Sequence, residues 1–186
     1  MEKKLKQTAT NICRVTFVGP ESTGKTTISQ ALAQKYQTEW VPEFMRTYLQ
    51  QKWDEKREVC DWEDLLPIAK GQMVMENELI KKANEFIFCD TNLFELMTYS
   101  YIYYGKCDPL IEKYAIDNQY DFIFLTYIDV PWLPDDLRDK PNEREYMFQQ
   151  FKQMLNQHKK SYILLEGNHE QRMKKVIDTI DNYSCL

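Results

Sequence analysis

Gly19, Gly24, Lys25 and Thr26 stand in the stretch VTFVGPESTGKTT, Val15 to Thr27, at the spacing G-x-x-x-x-G-K-[ST]. Residues of these types at this spacing can hold a nucleotide's phosphates. The glycines let backbone N–H groups converge on phosphate oxygens, and a helix beginning at the second glycine adds the positive end of its dipole. Lys25 would reach the β- and γ-phosphates, and the Thr26 hydroxyl would ligate Mg²⁺. A glycine turn that merely joined two elements would not call for the Lys-Thr pair. Gly19, Pro20, Glu21, Ser22, Thr23, Gly24, Lys25, Thr26 and Thr27 are therefore the expected ATP-binding residues. Glu21 is the odd member, an acidic side chain in a loop that receives anions. Because amides and Lys25 carry the phosphates, its carboxylate can face the acceptor side or a lid arginine.

A phosphate loop specifies nucleotide binding and leaves the reaction open. Asp90 closes the apolar run EFIFCD, at the edge where ligands collect in open α/β sheets. A carboxylate there can serve Mg²⁺ or take the proton of an attacking hydroxyl, and it can also cap a helix starting at Thr91. Glu43 and Arg46, in WVPEFMR, are three residues apart on the first turns of a helix and share a face suited to substrate hydroxyls. Glu43 is the second candidate proton acceptor. The alternative is a glutamate favoured by the helix dipole beside a solvated arginine. Arg138 and Arg144 lie in DVPWLPDDLRDKPNERE, Asp129 to Glu145, a long irregular segment of the kind that is usually functional. Closing as a lid, a guanidinium there would neutralise charge on the transferred phosphoryl group. Pairing with Asp135, Asp136 and Glu143 is the alternative. Trp132 can stack on a planar heterocycle or anchor the segment. His158 and His169 have no paired ligand or nucleophile nearby and read as surface residues, and Tyr99, Tyr101, Tyr103 and Tyr104 read as packing.

These groups need a scaffold, and the chain supplies one by alternating strand-like and helical patterns throughout its 186 residues, the pattern of βαβ units around a parallel sheet. Ile12 to Val18 is the first strand, followed by the loop and a helix with apolar residues at Ile28, Ala31 and Leu32. Thr38 to Val41, Glu85 to Asp90, Tyr120 to Thr126 and Ser161 to Gly167 are the other four. Helices are expected over Glu43 to Gln50, from a cap at Asp61, with Asp64 three residues on, to Ala83, and from about His169. Pro67 and Gly71 should weaken or kink the second of these. One domain over residues 1–186, with a lid at about 129–145, fits this length.

The composition excludes several classes. A formal charge of −5 offers no footprint for non-specific nucleic-acid binding. No run of 18 apolar residues suggests a membrane span, and no export signal follows the lysines near the start. Five cysteines, odd in number and without metal-ligand spacing, suit a reducing cytoplasm.

The ordered set GPESTGKTT, WVPEFMRTYL, IAKGQ, FIFCDTN, YGKC, IDVPWLPDDLRD and EGNHEQR resembles the nicotinamide riboside kinase domain of NadR-type proteins, over nearly the whole chain. The resemblance implies a P-loop NTPase fold of three layers, a five-stranded parallel sheet flanked by helices with a lid. It implies transfer of the ATP γ-phosphate to the 5′-hydroxyl of nicotinamide riboside. By that likeness residues 19–27 hold ATP and Mg²⁺, Asp90 serves the metal or the hydroxyl, Arg138 comes from the lid, Trp132 stacks on the substrate's ring, and Gly167 and Asn168 lie near adenine. Larger family members place an adenylyltransferase domain, and sometimes a DNA-binding domain, before the kinase; with about fourteen residues before the core of the first strand, those activities are expected to be absent. A RecA-like DNA-dependent ATPase shares the loop, and a regulatory ATPase or GTPase switch is the third class. No NKxD-type base motif supports the GTP form.

Overall fold

The computed structural model describes residues 4–135, 137 and 142–183. Strands β1 (Cys13–Val18), β2 (Trp40–Val41), β3 (Phe86–Cys89), β4 (Phe122–Thr126) and β5 (Ile163–Leu165) form one sheet in the order β2-β3-β1-β4-β5, every pair parallel. Parallel neighbours need crossovers, and helices supply them: α1 (Lys25–Tyr36), α2 (Phe44–Lys56), α3 (Leu65–Leu79), α4 (Leu93–Tyr104), α5 (Pro109–Asp117), α6 (Arg144–Gln157) and α7 (His169–Asp181).

Alternation along the strands sends side chains to two cores. Val15, Phe17, Phe88, Phe122 and Phe124 pack against Ile28 and Leu32 of α1 and Val176 and Ile180 of α7. Val18, Ile123 and Leu125 point the other way, onto Met73 of α3, Met97 of α4, Ile111 of α5 and Phe151 of α6. Both faces of the sheet are covered, which is why the strands read as continuous apolar runs. At the N-terminal end of β1, Arg14 reaches Glu76 at 3.2 Å, and Glu76 also accepts from Tyr120 at 2.7 Å and Gln7 at 2.9 Å. A buried carboxylate is tolerated there because each oxygen has a partner.

The expected strands appear with shorter bounds. The helix expected from Asp61 to Ala83 separates into a 3₁₀ turn, Trp62–Asp64, and α3, with Asp61 and Asp64 forming the capping box of the turn. No break occurs at Pro67 or Gly71. Pro67 falls in the first turn, where its missing N–H has no helical acceptor to lose. Gly71 is required by packing: a Cβ there would lie 2.1 Å from the Phe44 ring of α2. Arg144 and Glu145, the last residues of the segment expected as a lid, belong to α6. Arg138 lies outside the described residues. Among these residues no helix is long and apolar enough to cross a membrane, and Cys13, Cys60, Cys89 and Cys107 are not joined in disulfides.

Gly71→Val would force the Phe44 ring and α2 away from α3. The expected loss is about 1–3 kcal/mol of unfolding free energy, measured by urea denaturation.

Candidate active site

The order of the sheet decides what meets at its C-terminal edge. Because β1 lies between β3 and β4, the loop leaving β1 is flanked by Asp90 on one side and Thr126 on the other. Gly19 has φ +140°, and a Cβ on it would fall 2.6 Å from Thr126 Oγ1 and 2.9 Å from the Thr126 carbonyl oxygen. Only glycine fits. Gly24, with φ +83°, turns the chain into α1, and Ser22 also holds a left-handed conformation at φ +55°.

Polar side chains from distant segments fix this loop. The Thr23 and Thr126 hydroxyls are 2.7 Å apart, and Thr23 Oγ1 donates to the Pro20 carbonyl at 2.8 Å. Arg172 of α7, 3% exposed, donates to the carbonyls of Thr23 at 2.5 Å, Tyr127 at 3.0 Å and Gly167 at 2.9 Å, and pairs with Asp129. Arg144 donates to the carbonyls of Ser22 and Val130, both at 3.0 Å. The Leu133 N–H donates to Ser22 Oγ at 2.8 Å, so the segment after β4 is tied directly to the loop's apex.

Lys25 is buried. Its ammonium donates to the carbonyls of Gly19 at 2.7 Å and Pro20 at 3.0 Å and lies 3.2 Å from Glu95 Oε1. Glu95, on the first turn of α4, accepts the Gly19 N–H on its other oxygen at 3.1 Å. Burial pushes its pKa up to about 8 against the pull of Lys25, with Glu43 adding to the rise.

Thr26 donates to Asp90 Oδ2 at 2.7 Å. Asp90 is 2% exposed, and burial followed by the nearby Glu43 carboxylate raises its pKa to about 7. Its other oxygen, Oδ1, is buried with no hydrogen-bond partner. The helix-cap alternative for Asp90 is not what forms, since Asn92 caps α4 by accepting from the Glu95 N–H. A hydroxyl and a carboxylate with an unused oxygen fit Mg²⁺, which commonly takes one or two protein groups and completes its shell with phosphates and water. No group of three or more His, Cys, Asp or Glu side chains suited to a metal ion occurs among the described residues.

A cleft of about 390 Å³ lies over the loop. The half beside α2 and α4 is walled by Glu21, Glu43, Met45, Arg46 and Leu49 together with Glu95 and Tyr99 of α4. Glu43 occupies the N-cap position of α2 without bonding the helix amides, and Arg46 lies 3.8 Å from it and 2.9 Å from Asp135. Glu21 turns to this half, where its charge acts on Arg46 and Tyr99. The opposite wall holds Val130, Pro131, Leu133, Leu137, His169 and Arg172. Trp132 does not line the cleft. Its ring lies beside the Arg144 guanidinium, 5.8 Å from centroid to Cζ, so the stacking partner it finds is that arginine. Gly167 donates its N–H to Asp129 at 2.6 Å and Asn168 caps α7. Neither lines the cleft, although Arg172, from the same turn, does.

Three residues of the site escaped the sequence reading. Glu95 was the most legible, an acid inside the apolar run LFELMTY, where burial requires a partner. Tyr99 reads as packing in the sequence, yet its buried hydroxyl, without a hydrogen-bond partner, belongs to a residue of the cleft wall. Arg172 stands among the charged residues of HEQRMKK, and nothing local sets it apart.

A family model described as an AAA domain matches residues 14–172, which takes in the loop, Asp90 and Arg172. The chain belongs to this AAA domain family. The trifunctional NAD biosynthesis/regulator protein NadR of Salmonella typhimurium is 27% identical to this AAA domain over 124 residues, 67% of the chain and 30% of the relative. The chain thus corresponds to under a third of that protein's length. A crystal structure of NadR protein in complex with NR matches 94% of the chain and 52% of its own length, with a TM-score of 0.76 at 20% identity. A thymidylate kinase from Candida albicans matches 94% of the chain and 93% of its own, with a TM-score of 0.70 at 13% identity. The fold of this AAA domain is therefore P-loop kinase-like.

Arg172→Met keeps the bulk and removes every donor. Unfolding free energy should fall by about 3 kcal/mol in urea denaturation, since charged hydrogen bonds are worth about 1.5–3 kcal/mol each and are not additive. Nucleotide affinity, read by calorimetric titration, should fall with it because the Thr23 carbonyl loses its anchor.

Proposed function

We propose that the chain, as a single domain, is an ATP- and Mg²⁺-dependent kinase of a nucleoside hydroxyl, and that its acceptor is the 5′-hydroxyl of nicotinamide riboside, giving nicotinamide mononucleotide. The observation that carries this is the charge of the acceptor half. Glu21 and Glu43 face that half, the one beside α2 and α4, Asp90 lies beside it, and Arg46, the cation on that wall among the described residues, is already paired with Glu43 and Asp135. A nucleoside monophosphate would bring about two further negative charges into that wall. An uncharged or cationic nucleoside would not, and nicotinamide riboside carries a pyridinium cation. The 27% identity to a NAD biosynthesis protein and the structural match to NadR in complex with NR support the same choice.

In the mechanism, the loop amides and Lys25 hold the β- and γ-phosphates, and the α1 N-terminus adds its dipole. Bound Mg²⁺, held by Thr26 and Asp90, would neutralise charge on the phosphate oxygens. Asp90 or Glu43 takes the acceptor's hydroxyl proton, both lying on the side of the loop that faces the acceptor. Arg138, from the segment after β4, is the proposed lid arginine. Water must be kept from the γ-phosphate until an acceptor is seated, and the ties of Arg144 and Leu133 to Ser22 hold the base of that segment against the loop.

Lys25→Ala should lower kcat by two orders of magnitude or more with the fold retained in circular dichroism; near-normal turnover would overturn the kinase assignment. Asp90→Asn should lower kcat about 10²-fold or more with acceptor KM little changed. A phosphoryl-transfer assay across nucleosides and nucleoside monophosphates decides the acceptor. Preference for nicotinamide riboside is expected. Preference for a monophosphate would refute the charge argument, and hydrolysis stimulated only by DNA would place the chain with RecA-like ATPases.

A further inference from the structure

Beneath the phosphate loop lies a group that phosphoryl transfer does not need. Glu95 is 2% exposed, and its carboxylate spans the two loop elements that would handle phosphate, Lys25 Nζ at 3.2 Å and the Gly19 N–H at 3.1 Å. Lys25 has its donors committed to this carboxylate and to two loop carbonyls. A triphosphate seated in the loop competes for the same ammonium. If Lys25 turned to the phosphates while Glu95 stayed ionised, a buried carboxylate would lose its cation next to a polyanion, the arrangement that buried charge tolerates least.

We propose that Glu95 is the internal counter-ion that positions Lys25, and that nucleotide binding is coupled to uptake of one proton by the Glu95 carboxylate.

The groups facing Glu95 agree in sign. Lys25 on α1 is the cation; Glu43 at the start of α2, Asp90 after β3 and Tyr99 one turn along α4 add no positive charge, and Glu21 of the loop acts on the neighbouring Tyr99. Removing the ammonium's pull leaves burial and two carboxylates acting on Glu95, all of which favour its neutral form. The protonated side chain can still accept the Gly19 N–H on its carbonyl oxygen and no longer repels phosphate. Binding therefore prefers the protonated form, and affinity falls as pH rises through the Glu95 pKa of about 8.

The inference rests on the nucleotide-binding part of the proposed function and is independent of the acceptor, so it is tested with a non-hydrolysable ATP analogue and Mg²⁺ alone. Calorimetry at about pH 8.5, in buffers of different ionisation enthalpy, reads the protons taken up. The analogue is saturated with Mg²⁺ before titration, so its terminal phosphate is already deprotonated at this pH and contributes little. The wild-type protein should take up a substantial fraction of one proton, and its Kd should rise about tenfold between pH 7 and pH 9. Glu95→Gln, which keeps the shape and an acceptor for Gly19, should bind with no uptake and a flat pH profile. Asp90→Asn, the control for the other raised carboxylate, should retain the uptake. Binding by the wild type without proton uptake overturns the inference, as does uptake that persists in Glu95→Gln or vanishes only in Asp90→Asn. Absence of analogue binding under any condition would refute the nucleotide reading itself, a different result.

Discussion

The close approach of Gly19 to Thr126 is the contact on which the site is built. Strands β1 and β4 are hydrogen-bonded neighbours, so their C-terminal ends arrive side by side, and the chain can leave β1 only by passing over the Thr126 backbone. A side chain at that point would displace β4 or lift the loop. With glycine there, the loop lies close enough for the Thr23 and Thr126 hydroxyls to bond and for Arg172 to reach the Thr23 carbonyl from α7. The left-handed turns at Ser22 and Gly24 then aim the loop's amides and the α1 N-terminus at one point.

From that seat the two halves of the cleft acquire different electrostatics. The half beside α7 is ordered by guanidinium groups whose donors are largely spent on backbone carbonyls, so Arg172 and Arg144 act as struts of the loop. Burial lowers the pKa of Arg144, a cost offset in part by Asp129. The half beside α2 and α4 is acidic, and its carboxylates raise one another: Glu43 contributes to the shifts of both Asp90 and Glu95. An acidic wall next to a loop that receives anions is costly unless something cationic bridges the two. Lys25, between the loop carbonyls and Glu95, is such a bridge in the structure.

Much of the architecture was legible in the chain. Five buried strands read as apolar runs because both faces of the sheet are covered, and the Lys-Thr pair after the second glycine announced the loop and its helix. The sequence reading extends the strands by one or two residues, at some ends because a strand-favouring residue, Ile12, Thr38, Tyr120 or Tyr162, lies just outside the strand. Pro67 and Gly71 misled for a definite reason. Both break isolated helices, but Pro67 sits in a first turn and Gly71 makes room for Phe44, a contact 27 residues away in sequence that periodicity does not encode.

The sequence by itself determined the parallel α/β class and the phosphate loop, and it singled out Lys25, Thr26, Asp90 and Glu43 as candidates for the chemistry. These follow from residue type and from spacing within one strand-loop-helix unit, where local geometry is fixed by φ, ψ and helical pitch. Tertiary structure alone decided which distant groups complete the site: Glu95 beneath Lys25, Arg172 beneath Thr23, Arg144 at Ser22, and Trp132 beside Arg144 instead of in the cleft. Those pairings join segments 70 to 149 residues apart, or one loop to the helix that follows it. They exist because the crossover order places β3 and β4 on either side of β1, which no local pattern records.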